Sequence, residues 1–361
     1  MDHTDALMGV QIRGYDVIEE LAHGNYGVVF RGVQKRLNRF VAIKILSESL
    51  AKDIKYVNKF HHEAEVAALL THPNVVQAYD VGQAESGEYF FAMEMVEGED
   101  ISKIMAREGR IKWRQALYWM SFVADALNYG MKKNKVTHGD IKPANVMIKK
   151  NGQVKLADLG LACMGGEEKS NDIMLTPYYA APEVITGRWQ VGDPRADMYS
   201  FGASIYHMLT GHPVFESENF QKILQMHLES KVIDPSVYAS IPHQVSDFLL
   251  KLLSKNPDDR FSDWCEIYSE IHRLLTSDIQ NDTGRVSQTN RKRHVDFERR
   301  QLALKKLKAR KRKKSRALKN YGLGVSVIAI LYFVSDVVLQ SVGGEGAWKV
   351  LQAFVQNLSG G

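Results

Sequence analysis

The chain has 361 residues, 45% of them hydrophobic and 25% charged, with a formal net charge of +5. That is a globular composition with apolar material for one large core or two modest ones, which sets aside a disordered or fibrous chain. The two cysteines, Cys163 and Cys265, match no metal-ligand spacing and suit a reduced, cytosolic setting.

The charge is unevenly spread. Residues 291–361 hold 16 Lys/Arg against 4 Asp/Glu, a local +12, so residues 1–290 carry −7. The basic balance belongs to one tail, and the main body offers no positive surplus to draw nucleic acid. At the start, Met1–Gly14 contains no apolar run, so no cleavable leader is expected. From Tyr15 to Leu275 strand-like and helix-like patterns alternate, an α+β arrangement without internal repeats.

Taken in chain order, the first chemical feature is Leu21-Ala22-His23-Gly24-Asn25-Tyr26-Gly27-Val28-Val29. A glycine-rich hairpin lets backbone N–H groups approach triphosphate oxygens where a side chain would clash. Next, Val41-Ala42-Ile43-Lys44-Ile45-Leu46 reads as a buried strand, and Lys44 on it can reach phosphates as a point charge. Phe60–Leu70 has helical spacing, closed by His72-Pro73-Asn74. Glu63 in that helix can hold Lys44 in an ion pair; Glu65 competes, but it faces roughly 200° away. His61 and His62 are expected to face solvent.

His138-Gly139-Asp140-Ile141-Lys142-Pro143-Ala144-Asn145 follows. Asp140 can accept the proton of an attacking hydroxyl, Lys142 can neutralise a γ-phosphate as charge develops, and Asn145 can bind a metal ion. His138 reads as a buried structural residue. Leu156-Ala157-Asp158-Leu159-Gly160 adds a second metal carboxylate with a flexible glycine behind it, and oxygen donors of this kind suit Mg²⁺. Cys163, just beyond, reads as an inert small residue. After Asp193 the pattern is mainly helical.

Residues 276–290 have the polar composition of a linker, and 15 basic residues crowd 291–319. Residues 321–342 then carry a single charge, Asp336. At about 1.5 Å per residue this stretch just spans a hydrocarbon core of about 30 Å, so one transmembrane helix is expected. The basic run beside it places the large N-terminal domain in the cytoplasm at the cell membrane and residues 343–361 outside. It would also hold anionic lipid headgroups, at about 1 kcal/mol per charge. Asp336 either marks a helix–helix contact, such as one with a second copy of the chain, or reaches the outer headgroups.

The ordered motifs resemble those of the eukaryotic-like Ser/Thr protein kinases, bacterial members most closely, over about residues 15–275. Thr176-Pro177-Tyr178-Tyr179-Ala180-Ala181-Pro182-Glu183 is similar to the segment closing that family's activation loop, and Asp197 to the aspartate that braces its catalytic loop. Arg260 is similar to the arginine that pairs with Glu183. Phe91-Ala92-Met93-Glu94-Met95-Val96 resembles the hinge, with Met93 as gatekeeper and the Glu94 and Val96 backbones facing adenine. The resemblance implies a bilobal fold, with a small β-rich lobe and a larger helical one. It also implies ATP and Mg²⁺ as cofactors and transfer of the γ-phosphate to protein Ser/Thr hydroxyls. Residues 22–27, Val29, Ala42 and Lys44 would line the nucleotide site, and Lys142 and Thr176 mark the Ser/Thr class.

Two positions depart from the pattern. Ala22 replaces the first glycine of the hairpin. Gly139 replaces the arginine that ordinarily pairs with an activation-loop phosphate, so phosphorylation of Ser170 or Thr176 cannot order the loop through that pair. The His-Gly-Asp stretch also occurs in small-molecule phosphotransferases, but Ala181-Pro182-Glu183, Asp197 and Arg260 have no counterpart there. A pseudokinase scaffold is the other alternative, and the presence of Lys44, Glu63, Asp140, Asn145 and Asp158 argues against it.

Overall fold

The computed structural model describes residues 12–24, 26–159, 162–164 and 176–277. The N-terminal lobe is an antiparallel sheet of five strands: β1 (Tyr15–Gly24), β2 (Gly27–Gln34), β3 (Arg39–Leu46), β4 (Ala78–Gln83) and β5 (Tyr89–Glu94), in the order β1-β2-β3-β5-β4. Alternation along β3 sorts its side chains by face. Val41, Ile43 and Ile45 pack with Val28, Phe30, Phe90 and Ala92 on one side. Leu46 packs on the other, with Phe91 and residues of helix α1 (Ile54–Leu69). Ala42 and Lys44 share that second face. The expected strand at 41–46 is therefore found, extended two residues at its start.

Helix α1 begins six residues before the expected Phe60. The Asp53 carboxylate accepts the Lys55 N–H at 2.9 Å and caps it. Val57, Phe60, Ala64 and Ala67 then form its buried stripe. A single helical turn at Glu48–Ala51 precedes it.

The C-terminal lobe is helical: α2 (Ile101–Glu108), α3 (Trp113–Asn134), α4 (Arg195–Thr210), α5 (Phe220–Glu229), α6 (His243–Leu252) and α7 (Trp264–Thr276). Its core joins Leu117, Met120 and Val123 of α3 to Phe201 and Ile205 of α4 and Trp264 and Ile267 of α7. Each such large side chain, fully buried, contributes about 1.5–3 kcal/mol. Helix α4 is buried on nearly every side, as its apolar composition requires. Where α4 crosses α6, a Cβ at Gly202 would stand 2.6 Å from Leu252 Cβ. A small second sheet, β6 (Gly98–Asp100), β7 (Val146–Lys149) and β8 (Val154–Leu156), lines the junction of the lobes.

Among the described residues no helix is long and apolar enough to cross a membrane. The expected span at 321–342, the basic run and the outer tail lie outside them, as do Asn25, Gly160 and Ser170.

Candidate active site

Lys44 projects from β3 toward α1, where its Nζ donates to both Glu63 oxygens at 2.8 and 2.7 Å. Asp158 Oδ1 stands 3.8 Å from the same ammonium. Burial alone would lower the Lys44 pKa; Glu63 and then Asp158 outweigh it, and the ammonium stays above the ordinary lysine value. Glu65 is exposed, so the pairing falls to Glu63. Asp158 has a φ of +63°, a left-handed conformation that costs a non-glycine residue energy and clusters at functional sites.

Across the sheet, Ala22 pairs with Val29, Val29 with Lys44, and Ala42 with Met93. His23 pairs with Val28, and Gly24 with Gly27 at the tip of the hairpin. Gly27 is required by close approach: a Cβ there would lie 1.9 Å from the Ile45 carbonyl oxygen. Tyr26 folds beneath the hairpin. Its ring centroid is 5.7 Å from Lys44 Nζ and 6.4 Å from the Tyr56 ring, and its buried hydroxyl has no hydrogen-bond partner among the described residues. Met93 is half-buried beside the α1 core, and Val96 is buried.

Asp140 sits in a web of donors. Lys142 Nζ reaches its Oδ2 at 2.6 Å, Asn145 Nδ2 its backbone oxygen at 2.8 Å and its Oδ2 at 3.1 Å, and Thr176 Oγ1 its Oδ1 at 2.8 Å. Below this loop the buried Asp197 carboxylate accepts the His138 and Gly139 N–H groups at 2.6 and 2.8 Å. Gly139 has φ +77°, which glycine adopts without the penalty another residue incurs. His138 is 1% exposed, in keeping with a structural role.

Asn145 Nδ2 is committed to Asp140, which leaves the amide oxygen to face a cation, and the half-exposed Asp158 carboxylate supplies a second oxygen. Two hard oxygen donors without sulfur or imidazole fit Mg²⁺. Among the described residues no group of three or more His, Cys, Asp or Glu could hold a metal. A divalent ion here would therefore complete its shell with phosphate and water oxygens.

Glu183 and Arg260 form a bidentate pair at 2.6 and 2.9 Å, and the Arg260 side chain is fully buried. The histidines of α1 differ from expectation. His61 packs edge-on against Tyr89, and His62 Nε2 contacts the Ala162 carbonyl at 3.2 Å, so both are half-buried. Residue spacing also gave no notice of Lys149 and Lys155, whose ammoniums grip the Glu94 side chain at 2.6 Å each. The available signal was a lysine between two apolar residues of a strand, Val154-Lys155-Leu156.

The protein kinase domain family matches residues 15–273. Curated relatives include a probable serine/threonine-protein kinase of Clostridium acetobutylicum, 30% identical over 74% of this chain and 41% of its own length. Another is the serine/threonine-protein kinase PknB of Mycolicibacterium smegmatis, 29% identical over 92% of this chain and 55% of its own. The chain thus spans about two fifths to just over half of these relatives. Among solved structures, the Mycobacterium tuberculosis PknI kinase domain superposes with a TM-score of 0.59 at 27% identity, covering 74% of this chain and 98% of that one.

Proposed function

The chain belongs to the protein kinase family, among its eukaryotic-like bacterial Ser/Thr members, and from that premise we propose that it transfers the γ-phosphate of ATP to Ser and Thr hydroxyls of proteins. The observation that carries this reading is the joint placement of the Lys44–Glu63–Asp158 charges and the Asp140–Lys142–Asn145 web.

In this reading Lys44, held by Glu63, draws the nucleotide's phosphates to a fixed point beneath the hairpin formed by residues 22–29. Ala42, Met93 and the backbone at Glu94 and Val96 bound the adenine. Asp140 orients the acceptor hydroxyl and receives its proton. Lys142, 2.6 Å from Asp140, offsets the charge that grows on the transferring group. Thr176 holds Asp140 from the opposite side. Bound Mg²⁺ would neutralise phosphate charge, and Asn145 and Asp158 are the residues to hold it.

Around the catalytic domain, proposed at 15–275, residues 276–319 form a linker and basic juxtamembrane segment, 321–342 a single transmembrane helix and 343–361 an outer tail. The anchored enzyme would act at the cytoplasmic face, its basic run on anionic headgroups, where copies meet and phosphorylate one another. Full-length protein that stays in the soluble fraction of lysed cells would refute the anchor. A self-labelling rate per molecule that does not change with surface density would refute the encounter between copies.

Gly139 makes this a kinase without the loop-phosphate arginine, so activity should depend weakly on loop phosphorylation. Collapse of activity in Ser170→Ala, with Thr176 kept for its hydrogen bond to Asp140, would contradict that. The principal test is transfer from labelled ATP, with Mg²⁺, to a generic Ser/Thr substrate. Label on Ser or Thr that disappears in Asp140→Asn supports the proposal, and ATP binding without transfer overturns it.

A further inference from the structure

Behind the hinge lies a half-buried charge cluster that the transfer chemistry leaves unused. Glu94 closes β5, where the chain leaves the sheet lobe. Its Oε1 accepts Lys149 Nζ and its Oε2 accepts Lys155 Nζ, both at 2.6 Å. Lys155 also donates to the Val75 carbonyl at 3.1 Å, and its side chain is only 7% exposed. Burial would raise the Glu94 carboxyl, yet the two lysines hold it below the usual carboxylate range.

The two lysines belong to the two strands of one hairpin, Lys149 to β7 and Lys155 to β8. Asn145 immediately precedes β7 and Asp158 follows β8 by two residues. The Ala157 N–H donates to the Asn145 carbonyl at 2.9 Å, which ties the hairpin's two ends together. On the other side, β5 pairs with β3, setting Phe91 opposite Lys44. One carboxylate therefore grips the hairpin that carries both oxygen donors and attaches it to the sheet that carries Lys44.

Resting on the phosphotransfer reading, we infer that Glu94, Lys149 and Lys155 are positioning residues. They form a strut that sets Asn145 and Asp158 at their working distance from Lys44. The cluster is one acid against two bases, so removing Lys155 still leaves a paired carboxylate, while removing Glu94 leaves two ammoniums facing each other. Removing Lys155 thus tests the strut with the least electrostatic disturbance.

The experiment compares the full chain with its Lys155→Met and Lys155→Arg variants. The strut predicts that Lys155→Met lowers kcat about tenfold and raises the Mg²⁺ concentration for half-maximal rate by a similar factor. Affinity for a fluorescent adenine nucleotide without metal should change less than about threefold, because adenine contacts lie on the hinge backbone. Lys155→Arg should recover most of the rate. Wild-type kcat and metal requirement in Lys155→Met, whatever its melting temperature, would overturn the strut. Should Lys155→Met not fold, Lys149→Met is measured in the same way. A wild-type chain that transfers no phosphate would refute the kinase reading and leave the strut to amide exchange. Faster exchange at Asn145 and Ala157 in Lys155→Met would uphold it, and unchanged exchange would overturn it.

Discussion

Lys44 and Glu63 share two hydrogen bonds in a site where neither is more than 12% exposed at its side chain. Replacing Lys44 with Met removes the charge proposed to hold the phosphates and strands a buried carboxylate. We expect kcat to fall a thousandfold or more at saturating ATP, measured by label transfer. Thr176 gives a finer test, since its hydroxyl donates to Asp140 at 2.8 Å. A hydrogen bond to a charged group is worth about 1.5–3 kcal/mol, so Thr176→Val should lose roughly ten- to a hundredfold in kcat while Thr176→Ser keeps most of it. These residues were legible in the sequence because each sits in a motif whose order and spacing carry the chemistry. Lys155 was not, because its partner Glu94 lies 61 positions away and no local pattern joins them. The histidines of α1 misled for the same reason: helical spacing cannot show that residue 162 returns to lie against His62.

At the scale of elements, β3 was readable because an apolar, β-branched run admits few alternatives. The start of α1 was missed because Ile54-Lys55-Tyr56 lacks a clear stripe, and the cap at Asp53 decides it. Two contacts between elements make predictions. Gly27→Ala would push a methyl to within 1.9 Å of the Ile45 carbonyl. The β2–β3 pairing must yield, and nucleotide affinity should fall at least tenfold by calorimetry. Arg260→Met would leave Glu183 buried without its cation, a loss of about 3–5 kcal/mol in urea unfolding. Adding Glu183→Gln should recover part of that, since two neutral side chains cost less than one unpaired charge.

For the whole molecule, pH reports on how tightly the helical lobe excludes water. Burial lowers His207 to about 4 and His227 to about 3, against an ordinary 6.5. Each accepts or donates a 2.8 Å hydrogen bond with a tyrosine, Tyr179 or Tyr199. Between pH 6.5 and those lower values the unfolded chain binds protons that the fold refuses, so stability declines as pH falls. Above pH 6.5 both states are neutral and the effect vanishes. At pH 5 each histidine should cost about 2 kcal/mol, and His227→Gln should flatten the melting curve's dependence on pH between 6.5 and 5. Stability that is level over that interval in the unaltered chain would contradict this burial.

The two ends of α1 are held unequally. Just past its C-terminal end, Asn74 and Val76 bond to β8 on both sides of Leu156, at 2.7 and 2.9 Å, and Asn74 Nδ2 reaches Val154 at 2.8 Å. The first turn carries an Ile54 side chain that is 69% exposed. Were the helix to pivot at that C-terminal end, it would act as a lever resting on the strand that leads to Asp158. Glu63 lies roughly 9 Å from Leu69 and Ile54 roughly 22 Å, at 1.5 Å per residue. A tilt of about 10° would shift Glu63 by roughly 1.6 Å, enough to break its grip on Lys44, and Ile54 by roughly 4 Å. A partner pressing on the exposed first turn would work at more than twofold mechanical advantage against the Lys44–Glu63 pair.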